Sequence, residues 1–175
     1  MPSIPDFVIE EWGDNHPRLS ELVDCLIAAA PEQLQFFQGS YFQKFPCYRL
    51  VALRQSQIAG LLQFAVLPIG PEVNCPTLTL DGRTLTEAKI HAFAVHPDFR
   101  CQGIGTALQK NAIRLARQLG CYQLASYSAY GREGNFHVKL SLGFAVQPEV
   151  HGDNEKGVYF IMSLATEDLS PEDLP

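Results

Sequence analysis

Arg100-Cys101-Gln102-Gly103-Ile104-Gly105-Thr106 is the stretch whose residue types and spacing imply chemistry most directly. It follows an apolar run, Ala88 to Val95, and a turn at Pro97, and it opens an amphipathic run. Closely spaced glycines let the main chain approach an anion, and the first N–H groups of a helix have no intrahelical acceptor. The helix dipole adds partial positive charge at that end. The chemistry expected is anion binding, with a phosphate as the anion. A dinucleotide-binding turn needs a third glycine where Leu108 stands, and an NTPase phosphate loop needs Gly-Lys-Ser/Thr, which is absent. His91 lies inside the apolar run, and its ordinary pKa suits proton transfer near neutrality. Regular alternation would put Lys89, His91, Phe93 and Val95 on one face. The five cysteines and five histidines form no CxxC or HxxxH, so reduced thiols and no metal are expected.

The elements that position these residues follow from periodicity. Phe7–Trp12 reads as a strand, and Leu19, Leu22, Val23, Leu26 and Ile27 recur at helical spacing. A second helix is expected from Glu32 to Gln43, weakened by Gly39. Tyr48–Leu53 and Ile58–Val66 form a hairpin pattern, and 68–85 reads as a long loop with a small ribbon near Thr77–Leu80. Ala88–Val95 is a long strand. Gly103–Leu119 is a helix with Ile104, Leu108, Ala112, Leu115 and Leu119 on one face and Gly120 as its stop. Then come a strand at Tyr122–Ser128, a helix at Asn135–Leu142, and strands at Phe144–Gln147 and Val158–Leu164. This order predicts an α/β (α+β) fold with a mixed, mostly antiparallel central sheet and helices on both faces. One domain is expected over 1–165, with an acidic solvated tail over 166–175.

A strand running into Arg100-x-x-Gly103-x-Gly105 resembles motif A of the GCN5-related N-acetyltransferase (GNAT) superfamily, and Leu142-Gly143-Phe144 resembles its motif B. The string His91-Ala92-x-Ala94-Val95-His96-x-x-Phe99-Arg100-x-Gln102-Gly103-x-Gly105 is most similar to arylalkylamine N-acetyltransferases. The resemblance implies transfer of an acetyl group from acetyl-CoA, a cosubstrate, to a primary amine in a ternary complex. It implies pantetheine pairing at Phe93 and Val95, and a pyrophosphate cradle from Arg100, Cys101, Gln102, Gly103, Ile104, Gly105 and Thr106. Asn135 is expected as a further cofactor contact. His91 falls on one of two strand histidines that relay the amine proton, with Lys89 at the other, and Glu87 is the carboxylate alternative. The usual acid, a tyrosine, is replaced by Lys139, so Tyr130 or Tyr127 is the expected substitute. A non-catalytic acyl-CoA-binding module of the same fold is the second reading.

The composition is that of a globular domain. The 175 residues are 46% hydrophobic, enough for one core, and the net charge is −6. An acidic chain disfavours nucleic-acid coating. Residues 88–119 carry five basic side chains (Lys89, Arg100, Lys110, Arg114 and Arg117) against Asp98 alone, which suits a polyanionic cofactor. No run approaches the length of a membrane-spanning helix, and the N-terminus lacks a signal-peptide pattern. The expected setting is cytoplasmic, with a small-molecule or peptide amine as substrate, no nucleic acid or membrane partner, and a homodimer as an option.

Overall fold

A computed structural model describes residues 6–148 and 157–164; the acidic tail expected over 166–175 lies outside them. The strands are β1 (Val8–Trp12), β2 (Cys47–Arg54), β3 (Gln57–Pro68), β4 (Thr79–Leu80), β5 (Arg83–Thr84), β6 (Thr86–Val95), β7 (Gln123–Ala129), β8 (Ala145–Pro148) and β9 (Gly157–Ser163). The helices are α1 (Leu19–Ala29), α2 (Leu34–Phe37), α3 (Ser40–Gln43), α4 (Ile104–Gln118) and α5 (Glu133–Ser141). Seven strands form one sheet in the order β1-β2-β3-β6-β7-β9-β8, and β4 pairs with β5 as the small ribbon. Every described pair is antiparallel except β6–β7. That parallel pair requires a crossover, which α4 supplies.

Both faces are covered. Ile104, Leu108, Ala112 and Ala116 of α4 pack on Leu50, Leu62, Phe64 and Ile90. On the other face Leu22, Cys25, Leu26 and Ala29 of α1 pack on Val51, Leu61, Ala92 and Ala94, with Trp12. Each fully buried leucine contributes about 1.5–3 kcal/mol, so the two layers hold the sheet rigid beneath any site built on β6. Among the described residues no helix is long and apolar enough to cross a membrane.

Two expectations change. The helix expected over 32–43 is a 3₁₀ turn, Pro31–Gln33, followed by two single turns broken at Gly39, whose backbone is extended (φ −67°, ψ 140°). The second change concerns β6. Gln63 and Phe64 of β3 face Ala92 and Ile90, so His91 is an extra residue on its strand, a bulge. The bulge reverses the alternation. Before it, Lys89 and His91 face the α1–α3 side; after it, Phe93 and Val95 pack toward the α4 layer. Lys89 and His91 therefore do not share a face with Phe93 and Val95, contrary to regular alternation.

Candidate active site

The parallel ladder between β6 and β7 runs only from Glu87↔Gln123 to Ile90↔Ser126. Beyond it β6 continues to Val95 and β7 to Ala129 without pairing, so the strands open a cleft whose apex is Ile90–Ser126. The bulge at His91 begins where the pairing stops, and bulges bend their strand.

At the outer end of β6 stands the glycine-containing loop. None of the six consecutive N–H groups from Cys101 to Thr106 donates to another described residue, and the first helical bond is Ala107 N–H to Gly103 O at 3.0 Å. Cys101 (φ 59°) and Gly103 (φ 81°) both adopt the left-handed conformation, which curls the chain so that these groups converge. Gly105 is needed for a different reason: a Cβ there would lie 3.3 Å from Cζ of Phe93, so α4 sits directly on β6. The loop is a ready-made anion site at the N-terminus of a 15-residue helix. The side chain of Gln102 lies outside it, bonded to Arg54 and to Asp98 O.

The main-chain groups of β6 inside the cleft are engaged. The Gln33 carboxamide accepts from Phe93 N–H at 2.7 Å and donates to Phe93 O at 3.1 Å. Arg100 Nε donates to Val95 O at 3.3 Å, and its Nη2 donates to Ala29 O at the end of α1. Glu32, beside Gln33, pairs with Arg132 at the start of α5. The Pro31–Gln33 turn thus bridges both lips of the cleft.

His91 is half-buried against the Phe42 ring, with centroids 4.2 Å apart. Gln63 Nε2 lies 2.7 Å from its Nε2 and donates to it, leaving the ring proton on Nδ1, which is buried and has no partner. Burial first, then the charges of Arg49 and Lys89, push its pKa down to about 4. The near-neutral titration expected from the bare sequence is therefore displaced. Glu87 is a buried strand residue, held by Gln123 Nε2 at 2.7 Å, and burial raises its pKa. Lys89 is paired with Glu72.

On the α5 side of the cleft, Asn135 Nδ2 donates to Ser128 Oγ at 3.2 Å, and its Oδ1 is buried without a partner. Lys139 is fully buried and donates to Ser126 Oγ at 2.7 Å and Ser128 Oγ at 2.6 Å. Tyr130 stands on the turn after β7, more than half exposed and edge-on to Phe136. No described contact links it to His91, Glu87 or Lys139. Tyr127 is on the strand face opposite Ser126 and Ser128, against Tyr159. The structure thus gathers Phe93, Val95, the loop, Asn135 and His91 around one cleft and leaves Tyr130 at its margin. Sequence reasoning missed Gln33, Ser126 and Ser128. Two serines alternating in an apolar strand were the available signal for the last pair. No metal-holding group of His, Cys, Asp or Glu occurs among the described residues.

An unpaired N–H cradle at one end of the cleft and an orphaned buried amide oxygen along it fit a long anionic ligand with polar groups on its arm. Similarity to known proteins agrees. The acetyltransferase (GNAT) family model matches residues 10–144. No curated protein matches the chain by sequence. Among solved structures, a GNAT family acetyltransferase from Elizabethkingia anophelis with acetyl-CoA bound is 18% identical, TM-score 0.61, covering 90% of this chain and 98% of that one. A Bacillus subtilis acetyltransferase in complex with CoA is 18% identical, TM-score 0.62, over 90% and 98% of the two chains. The ribosomal-protein-S18-alanine N-acetyltransferase of Escherichia coli is 18% identical, TM-score 0.58, over 94% and 99%. At these identities the structures establish a shared fold, and the family match covers most of the chain: it belongs to the acetyltransferase (GNAT) family.

Proposed function

We propose that this protein is an N-acetyltransferase that moves the acetyl group of acetyl-CoA to a primary amine by direct attack. The observation that carries this is the run of six unpaired N–H groups from Cys101 to Thr106 at the mouth of the β6–β7 cleft. The run would hold the pyrophosphate, with Phe93, Val95 and Asn135 along the pantetheine arm. Acetyl-CoA supplies an activated thioester; the chain's own residues orient it and handle protons.

The amine enters from the α1–α3 side, where Lys89, His91 and Glu87 lie before the bulge. Phe42, Tyr41 and Phe45 cluster beside His91, which supports an amine with an aromatic or apolar body. Glu72 and Glu87 share that side with Lys89 and Arg49, so its charges are mixed and the aromatic cluster carries the argument. His91, neutral throughout the physiological range, is the residue assigned to take the amine proton, a role that requires Gln63 to release its Nε2, with Glu87 as the alternative. Tyr130, exposed at the margin of the cleft, is the less favoured place for the acid.

The engagement of the Phe93 and Val95 main-chain groups by Gln33 and Arg100 favours one second reading, an acyl-CoA-binding module without turnover. Binding is tested first. Acetyl-CoA should raise Tm through linkage to the native state, and Gly103→Asp should abolish the shift by adding a side chain at φ 81° and a negative charge against the phosphates. Wild-type affinity in Gly103→Asp would overturn the phosphate-loop assignment.

A further inference from the structure

Lys139 is a fully buried lysine that pairs with no carboxylate among the described residues. A buried unpaired cation costs stability, and natural cores avoid it. Its position explains its presence better than packing does. Ser126, one of its two hydroxyl partners, is the last β7 residue paired with β6, and Ser128, the other, is two residues into the open cleft. The ammonium therefore sits at the apex, level with His91 and Ala92. If the pyrophosphate lies at the Cys101–Thr106 loop and the arm runs back along Val95 and Phe93, the arm's reacting end arrives at this level. Two serines take two of the three N–H donors of Lys139, leaving a third. His91 occupies the other side of the sheet, so acid and base flank the apex from opposite faces.

We propose that Lys139, held by Ser126 and Ser128, is the proton donor to the departing CoA thiolate; this rests on the acetyl-CoA reading above. The amine nitrogen bonds to the thioester carbonyl carbon and the C–S bond breaks. Sulfur leaves with the electron pair and takes a proton from the Lys139 ammonium. The amine's surplus proton leaves toward the base, His91 once Gln63 has released its Nε2, and water recharges the neutral lysine. The surroundings suit an acid of this kind. Ser126 and Ser128 face Lys139 from β7, and the Phe160 ring faces it from β9 at 4.9 Å. Burial alone, with no charged group contributing, brings its pKa down to about 7. An ammonium that titrates there gives up its proton more readily than an exposed lysine while remaining substantially charged at neutral pH.

The test uses CoA itself and needs no acceptor. The thiolate of bound CoA is followed by ultraviolet absorbance against pH. In the wild type the bound thiol should titrate at least about one pH unit below free CoA, because the neighbouring cation favours the thiolate. Lys139→Met should bind CoA within about twofold, lose that shift, and melt at the same or a higher temperature, since an unpaired buried charge has been removed. Lys139→Arg, which keeps the charge, should retain the shift. A second measurement needs no variant: the Lys139 side chain, followed by NMR in the wild type, should titrate higher with CoA thiolate bound than without it. An unshifted CoA thiol in the wild type, or an equal shift in Lys139→Met, would overturn the assignment while leaving acetyl-CoA binding intact. Failure of CoA to bind the wild type would instead overturn the proposed function.

Discussion

The Gln33 carboxamide is bonded to both main-chain groups of Phe93, accepting from its N–H at 2.7 Å and donating to its carbonyl at 3.1 Å, across 60 positions of sequence. A carboxamide carries the same donor and acceptor as the amides of a pantetheine arm, so Gln33 occupies the pairing that the arm would make. Gln33→Ala should bind acetyl-CoA more tightly, by about fivefold or more, since each of the two bonds released is worth about 0.5–1.5 kcal/mol in net terms. Isothermal titration measures this directly. Weaker binding in Gln33→Ala would mean that Gln33 belongs to the bound state as a contact.

His91 makes stability depend on pH. Its folded pKa of about 4 lies below its ordinary value of 6.5, so between these values the unfolded chain binds more protons than the folded one. The stabilisation is fully present above about pH 6.5 and is lost as pH falls toward 4, by an amount on the order of 3 kcal/mol for a shift of this size. Chemical denaturation of wild type and His91→Gln at pH 4 and pH 7 isolates it. The wild type should lose more stability than the variant on acidification, and parallel losses would contradict the buried neutral histidine.

The same residue should set the lower limb of the rate profile. If His91 takes the amine proton, His91→Ala lowers kcat/KM by about 10² to 10⁴, and the wild-type limb belonging to this group lies near pH 4 rather than near neutrality. Glu87→Gln should leave that limb in place. The opposite pattern, loss in Glu87→Gln alone, would assign the base to the carboxylate, whose raised pKa also suits the role.

Gly105 tests the close seat of α4 on β6. A valine there would meet Phe93 Cζ, 3.3 Å from the position of its Cβ, and Val95 Cγ2 at 3.6 Å. Gly105→Val should cost about 1–3 kcal/mol of stability by overpacking and weaken acetyl-CoA binding together with it. Full retention of both would mean that the helix has room to move.

The loop and its helix were legible because their signals are local. Gly103 and Gly105 mark the backbone conformation and the close approach, and the apolar stripe from Ile104 to Ala116 fixes the face. The bulge at His91 was not legible, because Lys89 to Val95 reads as an unbroken strand and the extra residue is defined only by the register of β3. That single insertion moves His91 and Phe93 to opposite sides of the sheet. Gln33 was invisible for a similar reason: its partner is a main chain far away in sequence, which leaves no spacing to read. Lys139 stands in a weakly patterned helix where a lysine ordinarily faces water. Its burial emerges only when α5 is laid against Ser126 and Ser128.

Acetyl transfer itself is tested most directly by release of free thiol from acetyl-CoA in the presence of a panel of arylalkylamines, polyamines, aminoglycosides, amino acids and peptide N-termini. The account predicts amine-dependent thiol release, strongest for amines with an aromatic or apolar body because of the Tyr41, Phe42 and Phe45 cluster beside His91, with equimolar acetylated amine found by mass spectrometry. Tight acetyl-CoA binding with no release above background for any amine would contradict it and leave a binding module.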